Sequence, residues 1–246
     1  MLIFYFSGTG NSRLIAHLFA HNMNCGCFSI EEEHEFETLI KSNETIAFCY
    51  PIYFSRVPRI MREFVKKHME ILQGKKLIIF CTQYIFSGDG ARAFTDLFPR
   101  NYMQVIYAEH FFMPSNTAPI ITSAGRIKKY TEKAVPKMQK ICENIKSEKV
   151  KKRGFNIVSR ALGLIQAPLL APAEKKANRT VKITDDCTLC GLCVSACPMQ
   201  NLELENGAIL HNHNCTICYR CINKCPQKAI NFFNAKITKQ YKGIDL

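Results

Sequence analysis

The sequence has no long run of apolar residues and no recognisable export signal. A membrane-spanning helix needs about 18 or more consecutive apolar residues, and the chain contains no such run. Met1 leads directly into a short strand-like run, without the charged and apolar segments of a secretory signal peptide. We therefore expect a cytoplasmic protein without a membrane span, in which thiols stay reduced and disulfide bonds do not form.

A glycine-rich loop near the start of the chain lacks the features of common nucleotide-binding loops. It has neither the lysine of G-x4-G-K-[ST] nor the pattern G-x-G-x-x-G, which disfavours nucleoside triphosphates and dinucleotides. A strand-like run (2–6) precedes it and a helical pattern (13–20) follows, so loop amides and hydroxyls can hold a phosphate at the helix start. These neutral donors suit the phosphate monoester of FMN, and the alternative is an ordinary turn without a ligand. The loop residues are Ser7, Gly8, Thr9, Gly10, Asn11 and Ser12.

Cysteine, in contrast, is abundant and ordered. The chain has 13 cysteines, and eight of them spell C-x2-C-x2-C-x3-C-P twice, which is the bacterial ferredoxin pattern. In that pattern each block gives three thiolates to one [4Fe–4S] cluster and its fourth thiolate to the other. Cluster I would be held by Cys187, Cys190, Cys193 and Cys225, and cluster II by Cys215, Cys218, Cys221 and Cys197.

Structural zinc is the alternative for these cysteines. Zinc sites also use four cysteines, but they usually separate two C-x2-C pairs by a longer loop. A third cysteine after only two residues, followed by C-P and repeated, favours the clusters. The remaining cysteines share no metal spacing and are expected to be small buried apolar residues: Cys25, Cys27, Cys49, Cys81 and Cys142.

The net charge of +13 comes from one stretch of the chain. Residues 126–182 contain sixteen basic and four acidic residues, whereas residues 1–125 contain eleven of each. A solvated face is the ordinary interpretation, and a docking patch for an acidic electron carrier is the alternative. Nucleic-acid binding is not expected, because no recognition motif or interleaved aromatic residues accompany the charge.

Strand-like and helical segments alternate through the first part of the chain. The predicted strands span residues 2–6, 24–30, 45–50, 76–81 and 105–111, with helices over 13–20, 59–72, 91–97 and 126–145. This alternation predicts an α/β fold with a doubly wound parallel sheet. The acidic segment 31–35 is expected to be a solvated turn, and residues 112–116 either close over a ligand or merely connect.

The glycine-rich loop resembles the FMN-phosphate loop of flavodoxins, and the cysteine blocks resemble a bacterial-type ferredoxin. The whole chain resembles the flavodoxin–ferredoxin fusion proteins of anaerobic bacteria and archaea. The resemblance implies a flavodoxin-like five-stranded sheet of order 2-1-3-4-5 and a small α+β domain with two [4Fe–4S] clusters. It divides the chain into a flavodoxin-like domain (1–146), a basic helical connector (147–180) and a ferredoxin domain (181–246).

The same resemblance places the flavin ring between the loops that follow the third and fourth strands. Tyr50 or Tyr53 can stack on the ring, and two glycines allow close backbone approach. The alternative is that these aromatic residues only anchor their loops in the core. The expected ring-site residues are Tyr50, Pro51, Ile52, Tyr53, Thr82, Gln83, Tyr84, Ser87, Gly88 and Gly90.

Two further expectations concern the connector and the second cysteine block. The apolar segment 155–170 is expected to dock the two domains, with an interfacial amphipathic helix as the alternative. Ile217 and Tyr219 are expected to pack against a cluster, and Arg220 and Lys224 to lie near its sulfur atoms.

These features predict a protein that passes electrons between FMN and two [4Fe–4S] clusters and on to a soluble redox partner. The alternative is an FMN-dependent reductase of a small molecule or quinone, with the clusters as an internal relay. No catalytic acid or base is evident, and an iron or redox sensor is disfavoured because no output domain is recognisable. The sequence does not determine the oligomeric state.

Overall fold

The computed structural model describes residues 1–86, 88–117 and 120–244 of the chain. Within these ranges the first part of the chain forms a parallel sheet of order β2-β1-β3-β4-β5-β6. The predicted doubly wound sheet of order 2-1-3-4-5 is confirmed, and a short additional strand pairs with its fifth strand. The strands are β1 (Leu2–Tyr5), β2 (Gly26–Ser29), β3 (Thr45–Pro51), β4 (Lys76–Gln83), β5 (Gln104–Phe112) and β6 (Lys151–Lys152).

Helices cover both faces of this sheet, which explains why its central strands are continuous apolar runs. Phe4, Phe48 and Phe94 belong to the core on one face, and Phe19 and Phe80 to the core on the other. The helix expected over 59–72 is interrupted at residue 68 and forms two helices. The helices are α1 (Asn11–Met23), α2 (Phe36–Lys41), α3 (Arg59–Lys67), α4 (Met69–Leu72), α5 (Gly90–Thr95) and α6 (Ala124–Lys146).

The segment after β6 is helical and contacts both parts of the chain. It comprises α7 (Ile157–Gln166), a 3₁₀ turn (Ala167–Leu169) and α8 (Leu170–Thr180). Leu170 and Ala177 of α8 are buried in the C-terminal core. None of the helices in the described ranges combines the length and apolarity that crossing a bilayer requires.

The C-terminal part is a small antiparallel region of the expected ferredoxin-like kind. A hairpin turns at Asn206 and Gly207, both of which have positive φ angles, and a separate sheet has the order β11-β10-β7. The elements are β7 (Lys182–Ile183), α9 (Leu192–Ser195), β8 (Leu202–Glu205), β9 (Ala208–His211), α10 (Arg220–Lys224), β10 (Ile230–Phe232) and β11 (Ala235–Lys236).

The repeat of the cysteine blocks is visible in the backbone. Positive φ angles recur at equivalent positions of the two blocks, in the pairs Leu189 and Ile217, Gly191 and Tyr219, and Gln200 and Lys228. Tyr219 has a φ of 59° at the position that glycine occupies in the first block. A bulky residue rarely adopts this conformation, so the surroundings of Tyr219 hold it in place.

Candidate functional site

A cleft of about 230 Å³ opens at the carboxyl ends of β1, β3 and β4, where the predicted site residues meet. Parallel strands of a doubly wound sheet direct their following loops to this edge. The predicted residues that line the cleft are Ser7, Gly8, Thr9, Asn11, Ser12, Pro51, Ile52, Tyr53, Thr82, Gln83 and Tyr84.

The structure places Tyr50 outside this cleft. Tyr50 is fully buried in the core cluster that contains Phe48, and its ring stacks on Phe94 with the two ring centroids 5.4 Å apart. Its hydroxyl donates a hydrogen bond to the carbonyl of Gly90 at 3.0 Å. Tyr50 therefore anchors the end of β3 in the core, and Tyr53 is the tyrosine of that loop that reaches the cleft.

The remaining predicted glycines support the cleft without lining it. Gly10, with a φ of 101°, precedes α1 and donates its amide hydrogen to Ser7 Oγ at 3.1 Å. A Cβ atom on Gly90 would lie 2.3 Å from the Ile52 side chain, and one on Gly88 would meet the backbone of Gly163. Ser87 lies outside the described residues.

One end of the cleft is built from neutral polar groups. Ser12 Oγ and Thr82 Oγ1 share a hydrogen bond of 2.7 Å. Asn116 Nδ2 donates to Thr9 Oγ1 at 2.9 Å, so the hydroxyl hydrogen of Thr9 remains available for a ligand. The segment after β5 therefore closes this end, and it adds Pro114, Ser115, Asn116 and Thr117 to the lining.

The other end of the cleft is aromatic and holds buried polar atoms. Phe54 and Tyr84 join Tyr53 there, and Tyr53 Oη and Gln83 Oε1 are buried without a hydrogen-bond partner among the described residues. Burial raises the pKa of Tyr53 well above its ordinary value, so its hydroxyl is a neutral donor. Buried polar groups normally have partners, so these two atoms indicate a ligand with polar groups on an aromatic frame.

This lining fits FMN in its chemistry. The neutral donors suit the phosphate ester, and aromatic walls with unpaired polar atoms suit a planar ring with a polar edge. The cleft volume of about 230 Å³ lies just below the roughly 300–1,000 Å³ typical of small-molecule sites.

The second cysteine block supplies part of the cleft wall, which the sequence did not predict. Ile217, Tyr219 and Phe233 line the cleft, although Ile217 and Tyr219 were expected only beside a cluster. A Cβ atom on Gly8 would lie 2.6 Å from the carbonyl oxygen of Cys218, so only glycine permits this approach. Cys218 is accordingly buried in a core cluster of the first domain.

Arg220 stabilises the contact between the second cysteine block and the glycine-rich loop. Its guanidinium donates to the carbonyls of Ser7 at 2.7 Å, Gly8 at 2.9 Å and Ala196 at 3.1 Å. It also binds both carboxylate oxygens of Glu31, at 2.5 and 2.7 Å. The expectation that Glu31 belongs to a solvated turn is wrong, because its side chain is only 17% exposed. The structure shows Arg220 directed at the glycine-rich loop, and Lys224 is exposed.

The eight ferredoxin cysteines surround two small cavities, with the crossed membership expected from the spacing. One cavity is lined by Cys197, Cys215, Cys218 and Cys221. The other is lined by Cys187, Cys190, Cys193 and Cys225. Each set therefore combines three cysteines of one block with the fourth cysteine of the other.

Backbone amides point at the sulfur atoms in a repeated pattern. In each block, the first cysteine sulfur accepts a hydrogen bond from the amide two residues further along the chain. The last cysteine sulfur accepts one from the amide four residues further along, and all four distances are 3.2–3.4 Å. Such N–H···S bonds stabilise thiolates and tune an iron–sulfur cluster. The donor and acceptor pairs are Leu189 and Cys187, Ile217 and Cys215, Asn201 and Cys197, and Ala229 and Cys225.

The cysteine sets are not arranged around a single ion. Among the described residues no three His, Cys, Asp or Glu side chains are arranged to hold one metal ion. A tetrahedral zinc site would need its sulfur atoms about 2.3 Å from one ion. The arrangement fits a larger group, and two [4Fe–4S] clusters match both the ligand type and the crossed sets.

Sequence families match both parts of this arrangement. Residues 2–151 match the flavodoxin domain family, and residues 186–230 match the 4Fe-4S dicluster domain family. The chain belongs to the flavodoxin domain family. Since a dicluster domain follows its flavodoxin domain, the chain has the expected flavodoxin–ferredoxin fusion architecture. The flavodoxin domain implies FMN, and the dicluster domain with its cysteines implies two [4Fe–4S] clusters.

Solved structures resemble the flavodoxin domain at low sequence identity. A flavodoxin from the domain Archaea is 13% identical with a TM-score of 0.40, over 58% of this chain and 97% of its own. Two-electron reduced flavodoxin of Megasphaera elsdenii is 19% identical with a TM-score of 0.41, over 56% and 99%. General stress protein 14 of Treponema denticola, in complex with FMN, is 9% identical with a TM-score of 0.45, over 58% and 97%. No curated protein matches the chain significantly in sequence.

Proposed function

We propose that this protein passes electrons between FMN in the cleft, two [4Fe–4S] clusters in the cysteine cavities, and a separate redox partner. One observation carries the proposal: Tyr219 lines both the cleft and the cavity formed by Cys197, Cys215, Cys218 and Cys221. Tyr219 therefore borders both candidate cofactor sites. FMN accepts one or two electrons and each cluster accepts one, so the pair joins two-electron to one-electron chemistry.

The residues of this chain bind and shield the groups. The loop amides with Thr9 would hold the phosphate, and Tyr53 and Tyr84 would flank the ring. Tyr219 and Phe233 would exclude water from the space between the cleft and the nearer cysteine cavity, which keeps that region apolar. The crossed cysteine sets would hold one cluster each, so that neither block retains its cluster alone.

The partner would approach the other cysteine cavity. Cys190 is exposed there, and Leu189 and Leu192 are 39% and 47% exposed. This apolar rim suits brief contact with a soluble electron carrier, and the positive charge of residues 126–182 would steer an acidic one towards the protein. A cytoplasmic location suits the many cysteines, because thiols stay reduced in that compartment.

Anaerobic purification followed by reductive titration tests the proposal. The protein is expected to be brown, to release FMN on denaturation, and to reoxidise its reduced clusters by its own flavin. A colourless protein with stoichiometric zinc, or clusters that never exchange electrons with the flavin, would overturn it. Exchange only with ferredoxins or flavodoxins supports the carrier, whereas rapid turnover of one small molecule or quinone supports the alternative, an FMN-dependent reductase.

A further inference from the structure

Helix α7 directs its apolar side chains away from the protein. Ile157 is 87% exposed, Ile165 is 71% exposed, and Leu169 in the following 3₁₀ turn is 52% exposed. These residues and the exposed Ala161 are spaced by four, so they lie on one side of the helical segment. Val158 and Leu164, also exposed, widen the same side. We call Ile157, Val158, Leu164, Ile165 and Leu169 the α7 face.

The opposite side of α7 is held by small and polar contacts. A Cβ atom on Gly163 would overlap Asp89 Oδ1, so the backbone of α7 packs directly against the loop that contains Asp89. Ser55 Oγ donates to Gln166 Oε1 at 2.7 Å. An ordinary surface helix buries its apolar side and exposes its polar side. Helix α7 does the reverse, which leaves the α7 face without a partner among the described residues.

Positive charge accompanies the α7 face. Residues 146–160 contain six basic residues and one acidic residue. Lys151 and Arg153 share the single carboxylate of Glu109 with Lys137, so three cations meet one anion. Arg160 is exposed on α7 itself. The apolar face therefore lies within a segment that has a surplus of cations.

We propose that the α7 face rests on an anionic lipid surface. Exposed aliphatic side chains next to an excess of lysine and arginine are the features by which an interfacial helix binds anionic lipids. A second copy of this chain is a poorer occupant, since self-pairing would bring Arg160 and its basic neighbours together. A protein partner is also poorer, because the α7 face lacks the aromatic residues that dominate such interfaces.

Helix α7 contacts the loop that follows β3 and lines the cleft. Ser55, which binds α7, follows Phe54, and Phe54 is 39% exposed at the cleft. Ile85 and Phe86, in the loop after β4, are 67% and 43% exposed. The α7 face lies on the other side of the same helix, so a lipid surface there would be one helix away from the loop that lines the cleft. The inference goes beyond the proposed electron transfer and does not depend on it.

Vesicle co-sedimentation of the anaerobically purified full chain tests this inference. The test variant is Ile157→Ser with Ile165→Ser, and the matched control is Leu204→Ser with Leu210→Ser, which changes two exposed leucines of the β8–β9 hairpin. Vesicles are phosphatidylcholine alone or with phosphatidylglycerol. Flavin and cluster absorbance confirm that each variant is folded and loaded.

The wild type and the control are expected to sediment with the phosphatidylglycerol vesicles and to be released by salt. The test variant is expected to bind at least about tenfold more weakly, because two side chains that would be buried in the lipid lose their apolar contact. Absence of wild-type binding, equal binding to neutral vesicles, or equal binding by the test variant would each overturn the proposal. A wild-type dimer that the test variant converts to monomer would overturn it too, and would assign the α7 face to self-association.

Discussion

Arg220 and Glu31 form a two-point ion pair between the second cysteine block and the loop after β2. Their side chains are 16% and 17% exposed, so the pair is largely shielded from water. The other N–H groups of Arg220 bind the carbonyls of Ser7, Gly8 and Ala196. An arginine has five such donors in a fixed planar fork, and all of them are used here. This one side chain therefore connects both cysteine blocks to the glycine-rich loop.

Replacing Arg220 with lysine is expected to loosen this connection. Lysine keeps the charge but cannot reach Glu31 and the carbonyls of Ser7 and Gly8 together. The loss of about 2 kcal/mol or more would lower the Tm of the anaerobic holoprotein by about 4–8 °C and speed FMN release. Differential scanning calorimetry and flavin fluorescence measure the two effects.

The control for that change is Arg59→Lys. Arg59 pairs with Glu63 at 2.7 Å on the surface of α3, where both side chains are substantially exposed. Exposed pairs contribute about 0–1 kcal/mol, so the Tm should hardly change. Equal Tm values for the two variants would show that the Arg220 contacts do not stabilise the domain joint.

Gly8→Ala is expected to push the two domains apart. The added Cβ atom would lie 2.6 Å from the carbonyl oxygen of Cys218, and neither group belongs to a flexible side-chain end. Crowding of this kind costs about 1–3 kcal/mol, which should appear as a lower Tm and weaker FMN retention. Gly125→Ala is the control, because no described atom beyond its own stretch of helix lies within 4 Å of the added methyl group. If Gly8→Ala retained FMN like the control, the close approach of Cys218 would be mistaken.

The contrast between Tyr50 and Glu31 shows what the sequence can and cannot predict. Periodicity and cysteine spacing are local signals, and they predicted the strands and the two cysteine sets, whereas the strand order came from the resemblance to flavodoxins. Tyr50 lies near the end of β3 and Tyr53 in the loop that follows, and the sequence does not show that Tyr50 is the one that packs on Phe94 in the core. Glu31 resembles a solvated charge because its partner, Arg220, lies 189 residues further along the chain. Contacts of this range depend on how the domains dock, which local patterns do not encode.

Cysteine-to-serine variants test the crossed cluster sets. Cys197→Ser is expected to change the same EPR signal of the reduced protein as Cys215→Ser, because both side chains line one cavity. It should leave intact the signal that Cys187→Ser changes, although Cys187 belongs to the same block. Cys25→Ser is the control, since Cys25 is remote in sequence from both blocks, and iron content should not change. If Cys197→Ser instead changed the EPR signal that Cys187→Ser changes, crossed ligation would be contradicted.

Thr9→Val tests whether the glycine-rich loop holds a phosphate. The hydroxyl of Thr9 accepts a hydrogen bond from Asn116 and has its own hydrogen free to donate. Losing a hydrogen bond to a charged group should weaken FMN binding about tenfold or more. Riboflavin lacks the phosphate, so its affinity should stay unchanged. Thr95→Val is the control, because that hydroxyl binds the Arg92 carbonyl within α5. Equal losses for FMN and riboflavin would place Thr9 away from the phosphate.

Glu109 supports the edge of the sheet where β6 joins β5. The carboxylate is 1% exposed and contacts Lys151 at 2.6 Å, Arg153 at 3.0 Å and Lys137 at 3.3 Å. Burial alone would raise its pKa, but the hydrogen bond from Lys151 and the charge of Lys137 lower the pKa to about 2. A lowered folded-state pKa means that the carboxylate stabilises the protein above its ordinary pKa of 4.5. That stabilisation is lost as the pH falls towards about 2.

Glu109→Gln should therefore destabilise the protein by about 1–3 kcal/mol at neutral pH, because three partly exposed cations lose their carboxylate partner. The difference in Tm from the wild type should be the same at about pH 7 and about pH 5.5, since both values lie above the range in which Glu109 titrates. Glu132→Gln is the control, because Glu132 is exposed and lies 3.9 Å from Lys128. Its Tm should be close to that of the wild type, because the free energy of unfolding should change by no more than about 0.5 kcal/mol. A Glu109→Gln variant with the Tm of the wild type at both pH values would show that the surrounding cations do not stabilise the ionised carboxylate.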